Sequence, residues 1–453
     1  MKIVLIDALR CQEPSQRAIP AIGLFYLKAY WEKYGSSKCQ VEIKRTPREV
    51  LDAKPDIVGI SSVTENMNIA KEWAKFFKRK LMVPILLGGD HITVLPHTLP
   101  EFIDIGVLGE GEETFKELLN LFLKNDNWHN KLEDLHGICY HNENEVVVNP
   151  RRKLITPMTR IPCPERPGNI WGNFHYCFTS RGCPYKCTFC SPRIIWQKYR
   201  TFPPNYVLRE LDQIFSNFKP GYIHFFDDLF IGDLDRVKEI SKLVKSRGYN
   251  KACTFGGHIR ADMVTEDLCK TLVGMNFISG AFGAESGSNK ILKFLKAGST
   301  SVEMNQKAID ICYNTGLQLN LSFVIGTPGE TGEDLDKTIK FIEKNRKKMQ
   351  GIEVFILLPY PGTPLWTYAK RNNMVQDDMN WDLFHTKAYF SDIEITDDFI
   401  MLNQDMDREK FIKYVRAFQE IDREMNNRNF QIYEHIEKSI PEPLNLDQFQ
   451  ILP

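Results

Sequence analysis

Thr179-Ser-Arg-Gly-Cys183-Pro-Tyr-Lys-Cys187-Thr-Phe-Cys190 follows directly on a short run, residues 176–179, that reads as a β-strand. Three thiols spaced by three residues and then two, in a loop just past a strand, can close on one metal centre. Zinc in a structural site takes four protein ligands, and His175 or Cys177 would supply the fourth. An iron–sulfur cluster of the [4Fe–4S] type normally takes four cysteines, so three leave one iron open to a chelating ligand. Both readings stand on spacing alone.

Working downstream, further strand candidates fall at 222–226, 252–256, 277–282, 318–325 and 352–358. Helical patterns at 206–218, 234–246, 302–315 and 333–348 separate them. Six consecutive strand–helix units predict a complete or partial (β/α)6 barrel like part of a TIM barrel, in which chemistry gathers at the C-terminal strand ends.

Upstream, residues 1–125 show the same alternation with different punctuation. Apolar runs at 3–6, 57–60, 84–87 and 105–108 enclose helical patterns at 22–34, 69–80 and 113–124. The pattern predicts an α/β fold, a doubly wound parallel sheet of the Rossmann-like kind, with ligands outside the carboxyl ends of its strands. Residues 126–170 read as a hairpin at 137–148 and then a proline-rich linker. The expected divisions are therefore 1–125, 126–170, 171–370 for the barrel, and 371–453 as a small, mostly helical extension with one helix at 407–425.

The chain has 453 residues, 58 basic and 58 acidic, with 43% apolar residues, which excludes wholesale disorder and gives no global attraction to nucleic acid. No uncharged apolar run is long enough for a membrane span, and residues 1–10 read as a strand rather than a signal peptide. Eleven cysteines, an odd number, argue against a disulfide framework, so the cytoplasm is the expected compartment. Cys163 and Cys177, which flank the triad, read as packing residues.

Further elements follow the cysteine triad in a fixed order: Phe225-Phe-Asp-Asp228, Phe282-Gly-Ala-Glu285-Ser-Gly-Ser288, Phe323-Val-Ile-Gly-Thr-Pro-Gly-Glu330 and Pro359-Tyr-Pro-Gly-Thr-Pro364. With C-x3-C-x2-C they resemble the radical S-adenosylmethionine (SAM) superfamily over roughly residues 176–370. The resemblance implies that Cys183, Cys187 and Cys190 hold a [4Fe–4S] cluster. SAM chelates its open iron, and reductive cleavage of SAM gives a 5′-deoxyadenosyl radical. It also implies SAM or substrate contacts for Asp227, Asp228, Glu285 and Ser286, and an adenine-side role for the loop opened by Gly326. Arg260 is expected either as the partner of Glu285 or as a ligand of the SAM carboxylate. Glu330 falls one residue later than the superfamily pattern, so a helix-capping role competes for it.

In the N-terminal half, the stretch from Pro20 to Leu27, Ser61-Ser-Val-Thr64, Leu87-Gly-Gly-Asp-His91-Ile-Thr93 and Gly109-Glu-Gly-Glu112 resemble the cobalamin (B12)-binding domain of one radical SAM subfamily. That implies cobalamin contacts from Ser61, Thr64, Gly88, Gly89, His91, Thr93, Gly109 and Glu110. The DxHxxG signature that supplies a cobalt-ligating histidine is missing, so His91 is expected as a loop or nucleotide-tail contact.

The two resemblances together predict a cobalamin-dependent radical SAM methylase acting on an unactivated carbon of a small-molecule, lipid or peptide substrate. A low-potential donor such as flavodoxin or ferredoxin would reduce it, and no nucleic acid or transmembrane segment is expected. The alternatives are rearrangement, cyclisation or carbon–carbon coupling without methyl transfer, and a zinc-stabilised binding protein without catalysis. Methylthiolation of tRNA would need three further N-terminal cysteines and a basic tail, which the sequence does not offer.

Overall fold

The structure is a computed structural model and describes residues 1–9, 21–124, 127–143, 145–166, 173–384 and 399–426. Cys11, Pro20 and the end of the predicted tail lie outside the described residues. The chain forms two compact units, one built on residues 1–171 with Asp377–Asp382, the other on 172–376 with 383–434.

In the first unit, β1 (Lys2–Asp7) buries four consecutive residues, Ile3 to Ile6, as a strand covered on both faces must. Its parallel neighbours are β2 (Gln40–Lys44) and β3 (Ile57–Ser61), followed by β4 (Ile85–Gly88) and β5 (Ile105–Val107). The connecting helices are α1 (Ile22–Tyr34), α2 (Pro47–Ala53), α3 (Met67–Leu81), α4 (Asp90–Val94) and α5 (Gly111–Lys124). Thr46 and Glu49 close a capping box at the start of α2. The spatial order β2-β1-β3-β4-β5 reverses direction between β1 and β3, the switch point at which such sheets bind ligands. The predicted hairpin is β6 (Ile138–Asn142) and β7 (Glu145–Val148), and it is not a free linker element. It adds to β5 antiparallel and forms the far edge of this sheet.

In the second unit, β8 (Phe174–Cys177) lies two residues upstream of the expected strand: it pairs with the next strand from Phe174 on, and Thr179 bonds Asp227 past its end. Beside that loop, β9 (Ser180–Arg181) and β10 (Arg200–Thr201) form a short antiparallel ribbon. The main strands continue with β11 (Tyr222–Phe225), β12 (Thr254–His258), β13 (Phe277–Glu285), β14 (Leu319–Ile325) and β15 (Gly351–Ile356). They pair parallel in the order β8-β11-β12-β13-β14-β15, and β8 does not pair with β15, so the barrel is open.

A sequential order with right-handed crossovers places every connecting helix on one face. Those helices are α6 (Pro204–Asn217), α7 (Leu234–Ser246), α8 (Glu266–Gly274), α9 (Val302–Thr315) and α10 (Gly332–Asn345). The helix packed along β15 is α11 (Arg408–Asn426), which buries Phe411, Val415 and Phe418. The tail predicted as a separate extension thus completes the helix layer of the barrel. Burial follows the strand period: His175, Cys177, Ile223, Phe225 and Phe255 face the helices and are buried, while Tyr176 and His224 on the other face are half-buried.

Candidate active site

The cysteine loop is held from below by a buried charge network. Asp227 accepts from the backbone N–H groups of Thr179 (2.6 Å) and Ser180 (3.0 Å) and from the Thr179 hydroxyl. Arg236, also buried, donates to the Thr179 carbonyl at 2.6 Å and the Phe202 carbonyl at 3.0 Å. Burial raises the Asp227 carboxyl, and Arg236 and the Thr179 bonds pull it back only in part. Both Asp227 oxygens are therefore engaged by the loop. Asp228 is exposed and accepts from Gly182 N–H at 3.1 Å, one residue before the first cysteine.

Arg260 ends β12 and braces the loop from the side. Its guanidinium stacks 3.4 Å from the Tyr185 ring centroid, pairs with Asp262 at 2.7 Å, donates to Ser299 Oγ at 2.7 Å, and lies 3.8 Å from Cys187 Sγ. It does not pair with Glu285. That partner is Lys296, 2.6 Å away and buried with it. Burial lowers the Lys296 ammonium, and the charges of Glu285 and Cys187 more than offset this, so it stays raised. Glu285 sits at a register shift between β13 and β14 with φ of 59°, a conformation unfavourable for a residue with a Cβ. The pair lies over Gly283: a methyl group there would be 1.8 Å from Glu285 Oε1 and 3.1 Å from Lys296 Nζ.

Ser286 and Glu330 both bond the polypeptide around them. Ser286 is fully buried, bonds the Thr338 hydroxyl at 3.1 Å and accepts from Ser288 N–H at 3.1 Å. Glu330 accepts from Gly326 N–H (2.7 Å) and Thr327 N–H (3.1 Å), folding the loop that Gly326 opens; burial pushes its carboxyl up to about 7.

In the first unit, glycine loops follow β4 and β5 at the strand ends. Gly89 and Asp90 are exposed, and a Cβ on Gly109 would meet nothing within 4 Å. Thr93 ties the two glycine loops together, donating to the Gly89 carbonyl at 2.8 Å and accepting from Gly109 N–H at 2.9 Å. Glu110 is buried and accepts from Ile155 N–H at 2.8 Å. Thr93 and Glu110 thus tie the loops at these strand ends to one another and to residue 155. His91 is buried, its Nδ1 3.3 Å from the Thr64 hydroxyl and its ring edge-on to Trp381 at 4.5 Å; burial and Lys71 lower it to about 3, so the ring is neutral. At the switch point stand two carboxyl groups that the sequence reading passed over. One of them, Asp7, bonds Ser61, and burial pushes it up to about 7; the other, Asp90, is exposed.

The Radical SAM superfamily profile matches residues 177–342, and the B12 binding domain profile matches residues 15–119. An uncharacterized methyltransferase, PH0819 of Pyrococcus horikoshii, is 34% identical over 73% of this chain and 73% of its own length. The chain belongs to the radical SAM superfamily. Within it, the bacteriochlorophyllide d C-8(2)-methyltransferase of Chlorobaculum tepidum is 27% identical over 74% of this chain and 72% of its own. Among solved structures, the radical SAM methyltransferase TsrM of Kitasatospora setae shares the fold, with a TM-score of 0.68 at 17% identity over 83% of this chain and 77% of its own. The cobalamin-dependent radical SAM enzyme OxsB does so at 0.66 and 20% identity, over 93% of this chain and 61% of its own.

The radical SAM cysteines fit a site-differentiated cluster. Burial, with Asp228 and Cys187 nearby, raises the Cys183 thiol, which as a free thiol stays protonated; a cationic iron centre reverses that balance. Among the described residues no three His, Cys, Asp or Glu side chains are gathered closely enough to hold a metal ion, the three cysteines included, and His175 and Cys177 lie on the helix-covered face of the sheet. The B12-binding unit leaves open space at Gly109, where a Cβ would meet nothing within 4 Å, and exposes Gly89 at the end of β4. The functions of Arg236 and Lys296 carried no sequence signal: each meets its partner only once the strands are side by side.

Proposed function

We propose that this radical SAM protein is a cobalamin-dependent methylase that places a methyl group on an unactivated carbon. The carrying observation is one chain with both halves of that chemistry: a three-cysteine loop after the first strand of an open barrel, braced by Arg260 and Lys296, and glycine loops at the carboxyl ends of β4 and β5 in a B12-binding sheet. When bound, the [4Fe–4S] cluster, SAM and cobalamin supply a 5′-deoxyadenosyl radical to remove a hydrogen atom and a methyl group to replace it. The chain's own residues hold and orient. Asp227 and Arg236 fix the loop shape, Arg260 supports Cys187, and Asp228 with the Glu285–Lys296 pair is offered to SAM. Ser61, Thr64, Gly88, Gly89 and Gly109 approach cobalamin, with His91 as a neutral neighbour of its nucleotide tail.

The relatives named as methyltransferases support this reading. A second reading, ring formation without methyl transfer, is supported by the anaerobic magnesium-protoporphyrin IX monomethyl ester cyclase of Cereibacter sphaeroides, 24% identical over 72% of this chain. All ten cysteines among the described residues are free thiols, which supports a reducing cytoplasm; a flavodoxin or ferredoxin would supply the electron. No helix among the described residues is long and apolar enough to cross a membrane. The test is anaerobic reconstitution followed by desalting. Retained cobalamin beside cluster absorbance, and a product heavier by one CH2, are expected; cluster-dependent SAM cleavage with no cobalamin retained would transfer the reading to ring formation or rearrangement.

A further inference from the structure

Outside the cysteine loop, Cys39, Cys177 and Cys253 each direct a thiol at the carbonyl of the next residue. Cys269 and Cys312 do something different. Both are fully buried, and their sulfurs face each other at 3.7 Å although the residues are 43 positions apart in the chain.

Both backbones are pinned. Cys269 closes the first turn of α8, where its N–H bonds the Thr265 carbonyl at 3.0 Å and the Thr265 hydroxyl caps the helix by accepting from Leu268 N–H at 3.2 Å. Cys312 opens the last turn of α9, and its carbonyl accepts from Leu317 N–H at 2.9 Å. Gly316 ends that helix with a φ of 81°, a conformation that suits glycine. Two capped helix ends therefore hold two thiols in contact. A disulfide bond is ~2.05 Å long, so the sulfurs have to close by about 1.7 Å, a step of the size that rotation about two Cα–Cβ bonds makes.

The same helices adjoin the supports of the cysteine loop. Asp262, the partner of Arg260, lies in the turn Ala261–Met263 that leads into α8, and α9 packs on that turn. Asn305 of α9 donates to the Ala284 carbonyl at 2.9 Å, one residue before Glu285.

We propose that Cys269 and Cys312 form a reversible redox site, which a peroxide oxidant converts into an intramolecular disulfide that staples α8 to α9. The Cys312 thiol and the Thr315 hydroxyl favour the ionised form of Cys269 and outweigh its burial, so Cys269 is the attacking sulfur. Its thiolate takes one oxygen of hydrogen peroxide: an S–O bond forms, the O–O bond breaks, and with one proton the first water leaves. The Cys312 sulfur then attacks Cys269 Sγ. The S–S bond forms, the S–O bond breaks, and the hydroxyl departs with the Cys312 proton as the second water. The two thiols lose two electrons and two protons, and the peroxide gains both. A dithiol reductant reverses the change. In a reducing compartment such a transient disulfide registers an oxidant.

The test uses the anaerobically reconstituted full chain. It is exposed to a rising excess of hydrogen peroxide, quenched with catalase, unfolded with N-ethylmaleimide present and digested with trypsin without reductant. Residues 261–270 and 308–337 are separate tryptic peptides with one cysteine each. They are expected as one crosslinked species two hydrogens lighter than their sum, which dithiothreitol returns to two peptides. Cys39, Cys139 and Cys253, also buried, should still be alkylated at that excess. Crosslinking should be about tenfold or more faster in the folded chain than in urea, because the helices hold the sulfurs together. Cys312→Ala should leave Cys269 as a sulfenic acid that dimedone traps. No crosslinked peptide at an excess that oxidises Cys39, Cys139 or Cys253 overturns the proposal. So does separate oxidation of the two thiols, or a crosslink that forms equally fast in urea.

Discussion

Adding one methyl group at Gly283 should disable the Glu285–Lys296 pair. The new Cβ would lie 1.8 Å from Glu285 Oε1, far inside contact distance, and 3.1 Å from Lys296 Nζ. Gly283 has no positive φ, so the backbone itself accepts alanine. The carboxylate must leave, and Lys296 is then buried without its partner. Overpacking alone costs about 1–3 kcal/mol, and breaking a buried ion pair about 3–5 kcal/mol. A loss of about 3 kcal/mol is expected for Gly283→Ala, a fall in melting temperature of about 6–12 °C at ~2–4 °C per kcal/mol for a unit of this size. The assay is urea unfolding of the full chain under anaerobic conditions, run as a double-mutant cycle. In the Glu285→Ala, Lys296→Met background the same alanine meets no carboxylate, and it should change stability by less than about 0.5 kcal/mol. An equal loss in both backgrounds would refute the placement of the pair over Gly283.

Three further outcomes are expected. Asp7 is protonated more readily folded, at about 7, than unfolded, near 3.8, so the folded state binds the extra proton between those values and stability falls as pH rises through that window. Asp7→Asn should therefore gain up to about 4 kcal/mol at pH 8, and nothing at pH 3.5, in thermal unfolding scans of both proteins. Asp227→Asn leaves Arg236 without its buried counter-charge and should cost about 3 kcal/mol or more; colorimetric iron analysis after reconstitution should show less iron per chain than the parent holds. Thr93→Val removes the hydroxyl between Gly89 and Gly109 and should cost about 1–3 kcal/mol, with faster loss of cobalamin on desalting; unchanged retention would separate the hydroxyl from cobalamin binding.

The strand–helix alternation was legible because buried parallel strands are short, apolar and punctuated by small residues, as in residues 3–6 and 57–60. The pair β2 and α2 was not, since Gln-Val-Glu-Ile-Lys is an edge strand with only one buried residue. Nor could pattern alone show that the helix over β15 comes from beyond residue 400. In the site, cysteine spacing is local and could be read directly. The acids and hydroxyls could not, because an aspartate, serine or glutamate at a strand end looks the same whether it faces a ligand or an N–H group. Asp227, Ser286, Thr93 and Glu330 all proved to bond their own backbone surroundings. Lys296 lies eleven positions past Glu285, beyond a short helix (Asn289–Leu295), and no periodicity links the two.

The segment Asp377–Asp382 belongs to the first unit although it follows the whole run of barrel strands. Asp377 meets His97 at 3.0 Å, Asp378 meets Lys71 at 3.4 Å, Asn380 meets Asn68 at 2.7 Å, and Trp381 packs on His91. The order of translation is therefore not the order of completion. A ribosome that has released residues 1–171 has made a B12-binding sheet with His91 still uncovered, and some two hundred more residues must emerge before Trp381 arrives. Cutting the gene between the two matched profiles would leave the first half in that unfinished state permanently, so a cobalamin-binding fragment is better made by carrying residues 377–382 along on a linker than by truncation.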